Sequence, residues 1–87
     1  IIEAEQSIRL LKSGKHQIHG HAGDTISLLP IGDTVQGITT TALKYPLNNE
    51  SLTLGPARGV SNVMDSDTAT ISIRKGLLIM VHTIGRA

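Results

Sequence analysis

Short polar turns divide this 87-residue chain roughly every 8–12 residues, and that spacing restricts the fold more than any other feature. Between the turns, residues 25–28 and 68–73 alternate polar with apolar side chains, which is the period of a strand with one buried face. Turn-like composition occurs at residues 13–15, 22–24, 31–33, 47–50 and 65–67. We therefore predict an all-β fold, and specifically a small β-sandwich of jelly-roll type.

Two further segments complete the prediction of secondary structure. Residues 77–81 are short and continuously apolar, which predicts a strand that lies in the middle of a sheet and is covered on both sides. Residues 1–12 contain good helix formers, with Ile1, Ile8 and Leu11 near helical spacing, so periodicity alone also permits a short helix there.

Composition excludes several classes of function. The formal net charge is +1 and there is one Tyr with no Trp or Phe, so the chain lacks the basic stripe and the stacking aromatics of a nucleic-acid-binding module. The longest apolar run, residues 76–81, is far shorter than the roughly 20 residues that a membrane span requires. There is no Cys, which removes disulfides and thiolate zinc sites and is consistent with a reducing, cytoplasmic location.

Two glycine-bounded segments carry the candidate site. Residues 37–47 read GITTTALKYPL and residues 55–62 read GPARGVSN. Ser61 and Asn62 together offer hydroxyl and amide donors and acceptors, the complement of an aminopyrimidine edge. The alternative is that Asn62 caps a turn while Ser61 bonds its own backbone.

The lysine and tyrosine of the first segment are the second pair of candidates. Pro46 favours an extended Tyr45, so Lys44 and Tyr45 are expected to point to opposite faces, one towards a ligand and the other packed or solvated. Leu43 and Leu47 are expected to anchor the segment in the core. A single Tyr in a small β-domain is also a common residue of the core edge, and the threonines at 39–41 are interpreted as strand formers.

Histidines and carboxylates do not predict a metal site. His16, His19 and His21 lie close together, but only His19 and His21 would share a face of a strand, and His82 is far downstream. Structural or solvated roles are the preferred interpretation for all four. The carboxylates of Asp24, Asp33, Asp65 and Asp67 occupy turn-like positions.

The parts needed for phosphoryl transfer are absent from the sequence. There is no G-x-x-x-x-G-K-[ST] loop and no acidic pair placed to hold Mg²⁺ beside a triphosphate. We therefore expect no catalytic residue and no catalysis from this chain alone.

The two glycine-bounded segments resemble the C-terminal, thiamine-binding domain of thiamine pyrophosphokinase, in which "GLKYPL" and "GxSN" occur in this order. The resemblance extends from about Ile8 to Val81 and implies that residues 8–11 form a strand rather than a helix. It implies that residues 1–87 are one thiamine-binding β-domain, a fragment of a two-domain α/β plus β enzyme. It also implies thiamine contacts from Gly59, Ser61, Asn62, Lys44 and Tyr45. Ala42 stands where the resembled motif has glycine.

The resemblance implies an activity for the parent enzyme as well. An N-terminal domain, absent from this chain, would bind ATP and Mg²⁺, and the enzyme would move pyrophosphate from ATP to thiamine, releasing AMP. Members of the family are homodimers whose sites combine one subunit's ATP domain with the other's β-domain. The alternatives are a stand-alone β binding module with a coincidental GxSN loop, or a structural dimerisation domain.

Overall fold

The computed structural model describes residues 6–53 and 60–84, and within them every regular element is a β-strand. The seven strands, in chain order, are β1 (Gln6–Leu11), β2 (Gly14–His19), β3 (Thr25–Thr41), β4 (Glu50–Leu52), β5 (Val60–Val63), β6 (Thr68–Ile73) and β7 (Lys75–Thr83). The prediction of an all-β fold is confirmed, and residues 8–11 belong to a strand, as the resemblance implied. The alternative prediction of a helix, which periodicity also permitted, is wrong within residues 6–12.

Two antiparallel layers share the long strand β3. In the first layer, β7 lies between β1 and the N-terminal half of β3, and β5 pairs with the other edge of that half. In the second layer, β6 lies between β2 and the C-terminal residues of β3, while β4 pairs with β3 near its middle. The prediction that residues 77–81 form an inner strand of a sheet is confirmed, because β7 has a hydrogen-bonded neighbour on each side.

The predicted turn at residues 31–33 is wrong, because β3 continues through it. Gly32 and Gly37 have φ values of 73° and 68°, and the pairing of β3 with β7 shifts register between Ile31 and Gln36. Glycine adopts this left-handed conformation without steric cost, so the strand can bend and change layers while it remains paired. Gly37 is also tightly packed, because a Cβ at this position would lie 2.5 Å from Cβ of Arg74.

The core lies between the two layers and is entirely aliphatic apart from methionine. Alternate residues of the strands supply it, as the period of two predicts. Its buried members are Leu11, Ile18, Ile26, Leu28, Val35, Ile38, Leu43, Met64, Ala69, Ile71, Ile73, Leu78 and Met80.

The opposite face of the first layer, here called the outer face, is also apolar but is not covered. Ile8 is 70% exposed and Leu10 is 53% exposed on β1, and Leu29 and Leu77 extend the exposed apolar surface across β3 and β7. The aliphatic residues of this face among those described are Ile8, Leu10, Leu29, Ile31, Val63, Leu77, Ile79 and Val81. The predicted cover on both sides of β7 is therefore not provided by the described parts of this chain.

Within residues 6–53 and 60–84, no helix has the length and apolar character needed to cross a membrane.

Candidate functional site

The loop that follows β3 runs beside β5 and brings the two sequence motifs together. Leu43 forms an isolated antiparallel bridge with Met64, and the amide of Lys44 donates to the carbonyl of Val63 at 2.8 Å. Asp65 donates from its amide to the carbonyl of Ala42 at 2.8 Å, so the loop begins as a short extra strand along β5. The motif pair predicted from sequence is therefore close in space as well as in order.

The side chain of Asn62 holds the next residue of that loop. Its Oδ1 accepts from the amides of Tyr45 at 2.9 Å and Val63 at 3.0 Å, and its Nδ2 donates to the carbonyl of Tyr45 at 2.6 Å. Asn62 is 1% exposed, and these bonds use both lone pairs of Oδ1 and one of the two amide hydrogens. The side chain thus fixes the backbone of Tyr45, and one of its amide hydrogens has no partner among the described residues.

Ser61 has the opposite orientation on the same strand. Its Cα partner on β3 is Ser27, which lies on the outer face, and Ser61 is exposed. Among the residues that the structure describes, its hydroxyl makes no hydrogen bond. The alternative role, a bond to its own backbone, is likewise not found within that part of the chain.

Lys44 and Tyr45 lie on the same side, so the expectation that they point to opposite faces is wrong. Nζ of Lys44 lies 5.6 Å from the centroid of the Tyr45 ring, within the range of a cation–π contact. The strand-like pairing stops after Lys44, and strict alternation stops with it. Tyr45 is 57% exposed, so it presents a ring surface and is not packed into the core edge.

The far end of the loop is held by threonines of β3. Oγ1 of the buried Thr40 accepts from the amide of Leu47 at 2.8 Å, and the amide of Thr40 donates to the carbonyl of Leu47 at 2.9 Å. Oγ1 of Thr39 accepts from the amide of Asn49 at 3.1 Å. The threonines are strand formers, as predicted, but sequence reasoning missed that Thr39 and Thr40 also fix the loop.

The hydrophobic anchors of the loop are those that the sequence predicted. Leu43 is buried and Leu47 packs against the core. Ala42 enters the loop with φ of 63°, a left-handed conformation that glycine adopts more readily. The remaining predicted contact, Gly59, lies outside the described residues.

A second buried polar contact holds the turn before β3, close to the end of β5. Nε2 of His82 lies 2.8 Å from Oδ2 of Asp24, and the same oxygen accepts from the amide of His21 at 3.0 Å. Gly20 packs directly on this pair, since a Cβ there would lie 2.7 Å from Oδ2 of Asp24. His82 thus makes a contact within the fold, and Asp24 does more than form a turn.

These contacts contain no metal centre in the part of the chain that the structure describes. Residues 6–53 and 60–84 bring together no group of three His, Cys, Asp or Glu side chains that could hold an ion. The Ser61 hydroxyl, the Lys44 ammonium and the Tyr45 ring are exposed on two neighbouring segments, and such groups are suited to binding a small polar ligand.

Comparison with known proteins agrees with the geometry. The family model described as "Thiamin pyrophosphokinase, vitamin B1 binding domain" matches residues 15–78, which include both motifs. The chain belongs to this family. The alternative of a coincidental GxSN loop is therefore not supported.

Individual relatives cover nearly all of the chain. The thiamine pyrophosphokinase of Bacillus subtilis (strain 168) is 32% identical over 84 residues, which are 95% of this chain and 39% of the relative. Thiamine pyrophosphokinase 2 of Arabidopsis thaliana is 33% identical over 75 residues, covering 82% of this chain and 28% of the relative. This chain therefore spans well under half the length of these relatives.

Solved structures share the fold as well. A crystal structure of thiamin pyrophosphokinase from Geobacillus thermodenitrificans superposes with a TM-score of 0.85 at 25% identity, covering 94% of this chain and 39% of that one. The Bacillus subtilis enzyme gives a TM-score of 0.81 at 32% identity, covering 93% of this chain and 39% of that one. The all-β domain is thus the fold of the corresponding part of these proteins.

Proposed function

We propose that this chain is the thiamine-binding domain of a thiamine diphosphokinase. The observation that carries the proposal is the family match across residues 15–78, combined with a structure in which the loop from β3 is fixed beside β5. Ser61, Lys44 and Tyr45 are exposed along this pair of segments and are the thiamine contacts that we propose. Gly59 stays a prediction from the resemblance.

The role of Asn62 is narrower than the sequence suggested. Because its amide is buried and already makes three hydrogen bonds, a direct thiamine contact could use only its remaining hydrogen. We propose that its main contribution is to the backbone of Tyr45.

The task of the domain in the reaction would be to position the substrate. We propose that the parent protein transfers pyrophosphate from ATP to the thiamine hydroxyl, giving thiamine diphosphate and AMP. Holding that hydroxyl close to the reacting phosphorus makes a bimolecular step effectively unimolecular. ATP and Mg²⁺ would be bound by an N-terminal domain of the same protein, which would neutralise the charge of the transferring group. Catalysis by the present chain alone is not expected, and we place the protein in the cytoplasm.

Titration calorimetry with thiamine tests the binding proposal directly. We expect saturable binding to this chain and none of ATP with Mg²⁺. The longer protein that carries this chain should form AMP when supplied with thiamine, ATP and Mg²⁺, whereas the chain alone should not. Absence of AMP from the longer protein would contradict the proposed activity.

We also propose that the protein is a homodimer that pairs through the outer face. The outer-face residues within 6–10 of β1, 25–31 of β3 and 77–83 of β7 carry no charge, so two copies can meet there without burying a charge or opposing like charges. Leu29→Lys should shift the chain to monomers in sedimentation, because it places a charge in that contact. Asn48→Lys adds the same charge to an exposed loop and should leave the association unchanged. If the wild-type chain is a monomer at high concentration, the homodimer through this face is contradicted. The N-terminal domain of the same protein would then be the proposed cover of the outer face.

A further inference from the structure

The segment that carries Lys44 and Tyr45 is held on both sides by buried side chains that do not themselves reach the surface. Asn62, at 1% exposure, bonds the backbone of Tyr45 on one side. Thr40, at 4% exposure, bonds the backbone of Leu47 on the other. Lys44, Tyr45 and Pro46, the three residues before the second attachment, are all exposed.

The side-chain amide of Asn62 bonds Tyr45 as a peptide group of a neighbouring strand would. The extra strand starts with the bridge between Leu43 and Met64 and continues with the bond from Lys44 to the carbonyl of Val63. At Tyr45, the side chain of Asn62 replaces the main-chain partner. Its Oδ1 accepts from the amide of Tyr45, and its Nδ2 donates to the carbonyl of Tyr45. A strand neighbour would offer the same pair of groups. The backbone of Tyr45 is therefore fixed as in a sheet, although the main chains have stopped pairing.

Thr40 provides the matching attachment after Pro46. Its main-chain amide and its hydroxyl bond the two backbone groups of Leu47, so this residue too is held by both its donor and its acceptor. A loop fixed in this way loses little conformational freedom when a ligand binds.

We propose that Asn62 and Thr40 are positioning residues, which set thiamine affinity through the backbone of the Lys44–Tyr45–Pro46 segment without touching the ligand. This inference rests on the proposed thiamine-binding function. If the loop samples other conformations once an attachment is lost, apparent affinity falls in proportion to the remaining competent fraction. The loss of one such hydrogen bond corresponds to about a two- to twelve-fold weaker affinity.

The sharpest test uses two adjacent threonines. Thr40→Val removes the hydroxyl that holds Leu47 and keeps the size and β-branching of the side chain. Thr41→Val makes the same change one residue later, where the hydroxyl bonds Thr70 and not the loop. Thr40→Ser retains the hydroxyl and should restore the behaviour of the wild type. Each variant is titrated with thiamine by calorimetry at a temperature where it is fully folded.

Amide hydrogen exchange at Leu47 reports the attachment independently of thiamine. We expect Thr40→Val to accelerate exchange at Leu47 and to weaken thiamine binding about two- to twelve-fold. Thr41→Val should change neither quantity, and Thr40→Ser should change both only slightly. Asn62→Ala should give the corresponding acceleration at Tyr45 with weaker binding. If that variant fails to fold, the threonine series still decides.

Two results would overturn the inference, and they are distinguishable. Faster exchange at Leu47 with unchanged thiamine affinity would show that the attachments do not set affinity, and the proposed function would stand. A wild-type chain that does not bind thiamine would remove the proposed function itself, and this inference with it.

Discussion

Asp24 and Asn62 are both buried polar side chains that tie a turn or loop to a strand, but they serve different parts of the molecule. Asp24 joins the turn before β3 to His82 at the end of β7. Asn62 joins β5 to Tyr45, beside two exposed side chains of opposite chemistry, an ammonium and a ring. The two sites are connected, because the backbone of Asp24 accepts from the amide of Met64, two residues after Asn62.

The difference lies in what each contact leaves exposed. At the Asp24 contact, the side chains of Asp24 and His82 are only 2% and 12% exposed, so the contact mainly stabilises the fold. At the Asn62 contact, Tyr45 is 57% exposed, so the same kind of contact also prepares a surface. We infer that the Asn62 contact contributes to binding as well as to stability, and that the Asp24 contact contributes to stability alone.

Replacing Asp24 should have the largest effect on stability. Asp24→Ala leaves His82 and the amide of His21 without this acceptor, and we expect a loss of about 3 kcal/mol in the free energy of unfolding. Asp67→Ala removes an exposed turn carboxylate and should cost less than about 0.5 kcal/mol. Urea denaturation measures both. Thiamine affinity of the folded Asp24 variant should equal that of the wild type. If thiamine affinity falls together with stability, Asp24 and Asn62 do not differ in their effect on binding.

Asn62→Ala is expected to rank second in stability and first in its effect on binding. It removes three hydrogen bonds and leaves backbone groups of Tyr45 and Val63 without that partner, which costs about 1–3 kcal/mol. Denaturation and calorimetry on the same preparation separate the two effects. If stability falls and thiamine affinity does not change, Asn62 stabilises the fold without contributing to binding, as we expect for Asp24.

Ala42→Gly should act in the stabilising direction. Ala42 has φ of 63°, which costs a residue with a Cβ about 1–2 kcal/mol, while glycine adds about 0.5–1 kcal/mol of entropy cost on folding. The net expectation is a gain of up to about 1.5 kcal/mol, visible as a higher midpoint in urea. A loss would mean that the contact of the Ala42 methyl group with the core outweighs the backbone strain.

Ser61→Ala should change stability least. Ser61 is exposed, so the free energy of unfolding should stay within about 0.5 kcal/mol of the wild-type value. Thiamine affinity should fall about two- to twelve-fold if the hydroxyl bonds the ligand. Unchanged affinity would assign the polar contacts to other groups and leave Tyr45 and Lys44 as the proposed surface.

Much of the fold could be predicted from sequence because alternation and turn composition are local signals. Residues 68–73 alternate without interruption and form β6, and the turns at 22–24 and 65–67 occur where predicted. The break predicted at residues 31–33 was wrong because glycine in a strand permits a bend as readily as a turn. Nothing in local composition distinguishes these outcomes without the partner strand.

The candidate site was less predictable, because its geometry depends on contacts between residues distant in sequence. Asn62 and Tyr45 are 17 residues apart, and no periodicity predicts that a side-chain amide will pair with a backbone. The expected alternation of Lys44 and Tyr45 assumed a regular strand, but regular pairing ends at that point. One local signal was available for the threonines, since a run of three β-branched hydroxyl residues before a loop can supply both strand and anchor.

The sharing of β3 between the layers has a consequence for unfolding. Residues 25–31 of this strand pair with β7, and residues 39–41 pair with β6, so neither layer can separate from the core without pulling on the same backbone. Heat should therefore melt the domain in a single all-or-none transition, with equal calorimetric and van't Hoff enthalpies. A ligand held at the loop after β3 would then protect β1 and β2 as well, although it touches neither strand.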